Sequence, residues 1–200
     1  MGPVGVLALQ GDFLEHLKVL EVIGAQAREI RLPQDLKNLE GLIIPGGEST
    51  TISRLLDLYD LKDPIIGLGQ QGMPIMGTCA GAILMAKRII GLPQPVLGLM
   101  DIQVQRNAYG RQVDSFEVDL SVPVLGQRPL RAVFIRAPII KDMAPGVEVL
   151  ARLPNGTPAA VKQANFLALT FHPELTPDHR MHKYFLSLVE SHRTTSTVER

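Results

Sequence analysis

Short strand candidates, most of them apolar, interleaved with stretches of helical spacing, constrain this chain more than any other feature of its sequence. Residues 4–9 are continuously apolar, end at Gln10-Gly11, and read as a buried strand. Phe13, Leu17, Leu20 and Ile23 then recur on one face of a helix over 13–23, which Gly24 stops. Residues 27–32 and 42–44 are the second and third strand candidates, the third running into Pro45-Gly46-Gly47. The fourth, 74–77, runs into Thr78-Cys79-Ala80-Gly81, and helices are expected over 50–58, 65–71 and 82–89. This β-α rhythm predicts a mostly parallel sheet with helices on both faces and right-handed crossovers.

The second half differs. Residues 102–104, 115–122, 132–135, 147–152, 158–162 and 166–170 are short strand candidates separated by turn residues. They suggest an antiparallel extension that feeds back to the main sheet. A closing helix is expected over 183–189. Residues 194–200 are polar without apolar spacing and read as a disordered tail beyond a domain of residues 1–193. There is no internal repeat and no linker long enough to divide the 200 residues.

Composition narrows the partners. Twenty basic and twenty acidic residues balance, so no general electrostatic pull toward nucleic acid or an anionic membrane is expected. No apolar run approaches the ~20 residues needed to cross a bilayer, and the N-terminus lacks the basic region and cleavage site of a signal peptide. One cysteine in the whole chain allows no internal disulfide and makes a poor metal site. Both facts suit a reducing cytoplasm. That cysteine is either a small buried hydrophobe or a nucleophile.

Its surroundings favour the nucleophile. Gly77-Thr78-Cys79-Ala80-Gly81 is a G-x-C-x-G pattern between a short strand and a helix, with the mechanics of a nucleophile elbow. Side chains two residues either side would crowd such a turn, so glycine fits there. The following helix start favours a thiolate, and the Ala80 N–H can meet a developing oxyanion. A buried cysteine in a glycine-rich turn is the plainer alternative.

A thiolate attacking an amide needs a group that can protonate the leaving amine, and histidine is the usual one. Of five histidines, His16 lies on an expected helix and reads as a surface residue, as do His179, His182 and His192 in or near the last helix. His172 differs: it follows an apolar strand and opens Phe171-His172-Pro173-Glu174. That puts it at a strand's carboxyl end, where sites on open α/β sheets gather. Glu174 can reach back to orient its imidazole, as in a triad. Alone, His-Pro-Glu would serve equally as a strand-ending turn.

Pro45-Gly46-Gly47-Glu48-Ser49-Thr50-Thr51 offers backbone N–H groups after the third strand, with Ser49 or Thr50 able to cap the next helix. It can be half of an oxyanion hole, an anion-binding turn, or a plain connection. It lacks the spacing of a P-loop.

Together these segments resemble the class I, or triad, glutamine amidotransferase family. Its motifs occur here in the expected order: the Pro45-Gly46-Gly47 turn, Gly77-Thr78-Cys79-Ala80-Gly81 and Phe171-His172-Pro173-Glu174. Within the family, the chain is similar to the vitamin B6 branch. Its members are glutaminase subunits of the synthase that makes pyridoxal 5′-phosphate from ribose 5-phosphate, glyceraldehyde 3-phosphate and glutamine. The narrower matches are Leu9-Gln10-Gly11, Glu48-Ser49-Thr50-Thr51, Arg106-Asn107 with Gly110-Arg111-Gln112, Asp114-Ser115-Phe116-Glu117, Phe134-Ile135-Arg136-Ala137-Pro138 and His172-Pro173-Glu174-Leu175-Thr176. Tyr109 stands where phenylalanine is common in the family.

The resemblance implies a flavodoxin-like three-layer α/β fold, with a mostly parallel central sheet and a small antiparallel extension. It implies hydrolysis of L-glutamine by Cys79, His172 and Glu174, with Gly47 and Ala80 as oxyanion donors. Gly47, Glu48, Ser49, Arg106, Ile135 and Arg136 would bind the glutamine, and Gln10 would help assemble the oxyanion hole when the synthase docks. The partner would be a (β/α)8 barrel in a complex of twelve of each subunit, the free glutaminase would be nearly inactive, and no metal or organic cofactor would be needed. Without the resemblance, Arg106 and Arg136 would read as surface or salt-bridge residues. The alternatives are a glutaminase serving another synthase, such as that of histidine biosynthesis, a non-catalytic regulatory module on the same fold, and a cysteine peptidase-like hydrolase.

Overall fold

The structure, a computed structural model, describes residues 2–91, 94–106 and 115–198. The first four strand candidates become the parallel strands β1 (Val4–Leu7), β2 (Ala27–Ile30), β3 (Gly41–Ile44) and β4 (Ile75–Thr78), joined late in the chain by β12 (Phe166–Leu169). They lie in the order β12-β4-β3-β1-β2, all parallel, and β10 (Glu148–Arg152) and β11 (Pro158–Gln163) extend the β12 edge in antiparallel fashion. This is the mostly parallel sheet with an antiparallel extension that the sequence pattern implies.

Alternation along each strand builds three layers. Leu42 and Ile44 face one apolar cluster while Ile43 faces the other, and Ile75 and Met76 split the same way. The first cluster is covered by α2 (Ser49–Leu58), α3 (Lys62–Gln70) and α4 (Ala80–Met85). The second is covered by α1 (Phe13–Val22) and α5 (Arg180–Val198), with Leu20, Phe185 and Val189 fully buried. Each such side chain contributes roughly 1.5–3 kcal/mol by leaving water. The α1 face of Phe13, Leu17, Leu20 and Ile23 packs on this cluster as its spacing predicts.

The structure departs from the sequence pattern in three places. The helix expected over 82–89 ends at Met85, because Ala86 is already extended (ψ 146°) and β5 (Ala86–Ile90) pairs in parallel with β6 (Met100–Gln105). A strand not foreseen, β9 (Ile139–Met143), closes that small sheet against β6; its half-exposed, partly charged sequence carries no clean alternation. The last helix runs from Arg180 to Val198, into the polar segment expected as a tail. Within it, the Ser191 and Thr194 hydroxyls donate to the carbonyls of Ser187 and Glu190 four residues back, which keeps these polar side chains on their own helix.

A hairpin of β7 (Ser115–Leu120) and β8 (Leu130–Ile135) stands beside the carboxyl end of the main sheet. Its Phe134 stacks against Phe116 and tilts onto Phe171 just past β12. Among the described residues no helix is long and apolar enough to cross a membrane.

Helix α4 sits very close to the sheet. A Cβ on Gly81 would fall on the Ile44 carbonyl oxygen, and one on Gly77 would meet the Gly81 backbone and the Met85 sulfur at 2.6 Å. Gly81→Ala should therefore cost about 2 kcal/mol of stability, read as a drop of about 4–8 °C in thermal midpoint. An unchanged melt would mean that α4 can move away from β3.

Candidate active site

Strands β12, β4, β3 and β1 are parallel neighbours, so their carboxyl ends share one edge of the sheet. The chain leaves β1 toward β2 on one side and returns as β3 on the other, which opens a crevice at that point. Four connections meet there: Gln10–Asp12 after β1, Gly46–Glu48 after β3, Cys79 after β4 and His172–Glu174 after β12. The cleft they line has a volume of about 620 Å³, within the range of small-molecule sites.

Cys79 joins β4 to α4 with φ 47° and ψ −101°, a conformation that costs a side-chain-bearing residue of order 1–3 kcal/mol. Neighbours on both sides hold it there. Its N–H donates to Leu169 O of β12 (2.8 Å), and its carbonyl accepts from Ile83 N (3.2 Å). The residue is buried, 7% exposed, and its sulfur donates toward Ile135 O at 3.7 Å. Ala80 occupies the first position of α4, where a backbone N–H has no acceptor within its own helix.

His172 is fixed by its backbone and by its ring. Its N–H donates to Val133 O of β8 (2.8 Å). The ring packs against the β3 turn, so that a Cβ on Gly46 would strike its Cε1. Nδ1 donates to Glu174 Oε1 at 2.7 Å, and Asp12 Oδ2 stands 3.4 Å from the same nitrogen. Nε2 is buried and makes no formed hydrogen bond, although the Cys79 sulfur is near enough to influence its charge. Burial works against a charged imidazole, but Cys79 and Glu174 outweigh it and lift the His172 pKa to about 10. Glu174 is also buried, and burial pushes its carboxyl up, against the pull of His172. Asp12, His172 and Glu174 each bring one possible ligand atom within 4.8 Å of the others, but His172 Nδ1 is already engaged by Glu174.

On the opposite wall, Gly47 has φ 150° and Gln10 lies across it, with Gln10 Oε1 accepting the Glu48 N–H at 2.8 Å. The cap of α2 is Glu48, where Ser49 or Thr50 was expected. Its carboxylate accepts from the N–H of Thr50 and Thr51 and from both hydroxyls. A charged acceptor at a helix start serves the dipole better than a hydroxyl. Burial opposes that charge, but the Thr50 and Thr51 bonds hold the Glu48 pKa down to about 2.

Arg106 reaches into the cleft already paired, to Glu48 Oε1 at 3.0 Å and to Gln94 Oε1 at 2.8 Å. Ser49 is buried and also turns to Gln94 (3.2 Å). Ile135 and Arg136 line the remaining side, Arg136 with φ 43°. Of the residues singled out from the sequence, Gln10, Gly47, Glu48, Ser49, Cys79, Arg106, Ile135, Arg136 and His172 line the cleft, Glu174 stands behind His172, and Ala80 follows Cys79 at the start of α4. The Asn107–Gln112 part of one motif, with Tyr109 and Asp114, falls outside the described residues.

Asp12 and Ile83 line the cleft and Gln94 holds Arg106, none of them foreseen, while Ser115, part of a motif quoted above but given no role, lines it too. Asp12 directly follows Gln10-Gly11 and was within reach of sequence reasoning; Gln94 carries no local signal. The expectation of surface positions for His16 and His182 is overturned: both are completely buried, and His16 stands behind Glu174.

A histidine that keeps one nitrogen on a buried carboxylate and turns the other toward an elbow cysteine is the working arrangement of cysteine hydrolases. The model of the SNO glutamine amidotransferase family matches residues 6–191, and the chain belongs to that family. The pyridoxal 5′-phosphate synthase subunit PdxT of Pelotomaculum thermopropionicum is 58% identical over 183 residues, covering 92% of this chain and 93% of its own. The protein of the same name from Moorella thermoacetica is 54% identical, covering 93% and 98%. A crystal structure described as a glutamine amidotransferase is 51% identical with a TM-score of 0.90, covering 94% of this chain and 100% of that one. PurLQS of Thermotoga maritima, 18% identical with a TM-score of 0.67 over 92% of this chain and 97% of that one, shares the fold.

The raised His172 pKa has a measurable consequence. It stabilises the folded chain fully below the ordinary imidazole value of about 6.5, and that contribution is lost as pH rises through about 10. Cys79→Ala removes one of the two groups that raise it. The imidazole should then titrate at lower pH, as read by nitrogen-15 NMR; an unmoved titration would mean that the sulfur does not interact with the ring.

Proposed function

We propose that this chain hydrolyses the side-chain amide of L-glutamine to L-glutamate and ammonia, and that the ammonia passes to the synthase subunit that makes pyridoxal 5′-phosphate. The observation that carries the reading is the 2.7 Å bond from His172 Nδ1 to Glu174, which leaves Nε2 for the sulfur of Cys79. The family and the names of the relatives support the substrate and the pathway.

An imidazolium beside the sulfur is the partner a thiolate nucleophile needs. The thiolate adds to the amide carbon, and the charge on the carbonyl oxygen falls to the N–H groups of Ala80 and Gly47. His172 Nε2 delivers its proton to the leaving nitrogen, ammonia departs, and a glutamyl thioester remains on Cys79. A water molecule, deprotonated by the now neutral His172, hydrolyses that thioester to glutamate. Arg106 meets the α-carboxylate of the substrate. Glu48, Ser49 and the backbone of Ile135 and Arg136 hold the rest of its amino-acid end.

Gln10 gives the site a resting state. While its side chain holds the Glu48 N–H, the Gly47–Glu48 peptide is fixed from one side. Docking of the synthase, a (β/α)8 barrel in a cytoplasmic complex of twelve of each subunit, would reset that peptide and complete the oxyanion hole. A regulatory module would have no use for an intact elbow, base and carboxylate.

Cys79→Ala should abolish glutamine-dependent synthesis by the complex while ammonia-dependent synthesis continues; loss of both would count against the assigned role. Glutaminase activity should be low in the isolated chain and rise when the synthase is added. Equal activity in both states would refute the coupling. Arg106→Ala should raise KM for glutamine about tenfold with little change in kcat, and a pure kcat effect would remove Arg106 from substrate binding.

A further inference from the structure

The triad does not end at Glu174. Behind it, His16 of α1 and His182 of α5 are both fully buried, with His16 Nδ1 2.9 Å from His182 Nε2. The other nitrogen of His16, Nε2, lies 3.2 Å from Thr78 Oγ1 and 3.4 Å from Glu174 Oε2. Glu174 Oε2 and His182 Nδ1 are buried without a formed hydrogen bond. Two imidazoles from two helices therefore lead, nitrogen to nitrogen, to the outer oxygen of the triad carboxylate.

Both rings are held neutral. Burial first, then His182 and His172, keep the His16 pKa well below the usual value, and burial with His179 lowers His182 to about 3. The groups facing this cluster are Asp12 from the turn before α1, Thr78 from β4, His172 and Glu174 from the turn after β12, and His179 from the start of α5. Two proton arrangements satisfy the 2.9 Å contact. In one, His16 donates to His182; its Nε2 lone pair then faces a carboxylate oxygen, and the His182 Nδ1–H is buried with no acceptor. In the other, His182 Nε2–H donates to His16 Nδ1, and the His16 Nε2–H faces Thr78 and Glu174 Oε2. The second brings a donor to the carboxylate and leaves only a lone pair unmet, which costs less than an unmet donor in a dry interior.

We propose that His16 is a positioning residue of the glutaminase site, its tautomer set by His182 so that its Nε2–H steadies the outer oxygen of Glu174 and keeps the carboxylate ionised and aimed at His172. This rests on the glutaminase reading above. Without that N–H, Glu174 holds a proton more readily and supports the His172 charge less.

The test uses the complete complex with its synthase. Nitrogen-15 NMR of the unmutated protein should find His16 and His182 neutral at pH 7, both with the proton on Nε2; a His16 that carries it on Nδ1, or is charged, overturns the proposal. His16→Met should lower kcat for glutamine hydrolysis about tenfold with KM unchanged and move the alkaline limb of the pH profile down by about one unit. His16→Gln, which keeps a donor near the same place, should recover most of both. A His16→Met complex that matches the parent in kcat and pH profile, or a His16→Gln complex no better than His16→Met, sinks it. If the parent complex itself fails to hydrolyse glutamine, it is the functional reading that has failed, and the tautomers still decide the geometry.

Discussion

Close backbone packing around the β3 turn is the constraint on which the site depends. Gly81 of α4 rests against the carbonyl of Ile44, the ring of His172 lies on Gly46, and a Cβ on Gly11 would collide with the Gly46 carbonyl. Helix α4, the β1 turn and the β12 turn are thus all pressed against one short segment. Each contact excludes a single carbon atom. The nucleophile's strained dihedrals persist because Cys79 has backbone bonds to β12 on one side and to its own helix on the other. Relaxing φ toward the usual range would pull α4 off β3 and expose Ile44, Ile52 and Leu84, all completely buried.

The electrostatics follow from the same compression. Glu174 is a carboxylate placed where water cannot reach it, and such a group survives only if its surroundings replace hydration. His172 supplies a charge on one oxygen. The two neutral histidines behind supply polarity without a second charge, which avoids setting like charges side by side in a dry interior. Glu48, at the mouth, is handled differently. It is half exposed and draws its stabilisation from a helix start and two threonines.

Much of this architecture is legible in the residue pattern, because apolar runs with period-2 or helical spacing report a local property. The strands β1 to β4 and the helix faces of α1 and α2 are of this kind. The Gly-x-Cys-x-Gly elbow and His172-Pro173-Glu174 are legible because rare residue types sit at fixed spacing beside strand ends. Other features depend on what arrives from far along the chain. Ala86–Ile90 becomes a strand only because Met100–Gln105 lies alongside it. His16 and His182 look like surface residues on their own helices. Their burial follows from a meeting across 166 positions of sequence, which no local pattern encodes. Glu48 in place of Ser49 or Thr50 as the cap is a subtler case, since all three can accept and only the geometry chooses.

Strand β8 supports both halves of the chemistry. The carbonyl of Val133 receives the backbone N–H of His172, and that of Ile135 receives the thiol of Cys79. Carbonyls two residues apart on a strand point the same way and are spaced by its pitch, about 6.6–6.8 Å. One edge of one strand therefore acts as a gauge block between base and nucleophile. That spacing is set by backbone geometry and does not depend on which side chains β8 carries. Val133 and Ile135 can accordingly vary in kind without changing the distance, and the exposed face of the hairpin is left free for other uses.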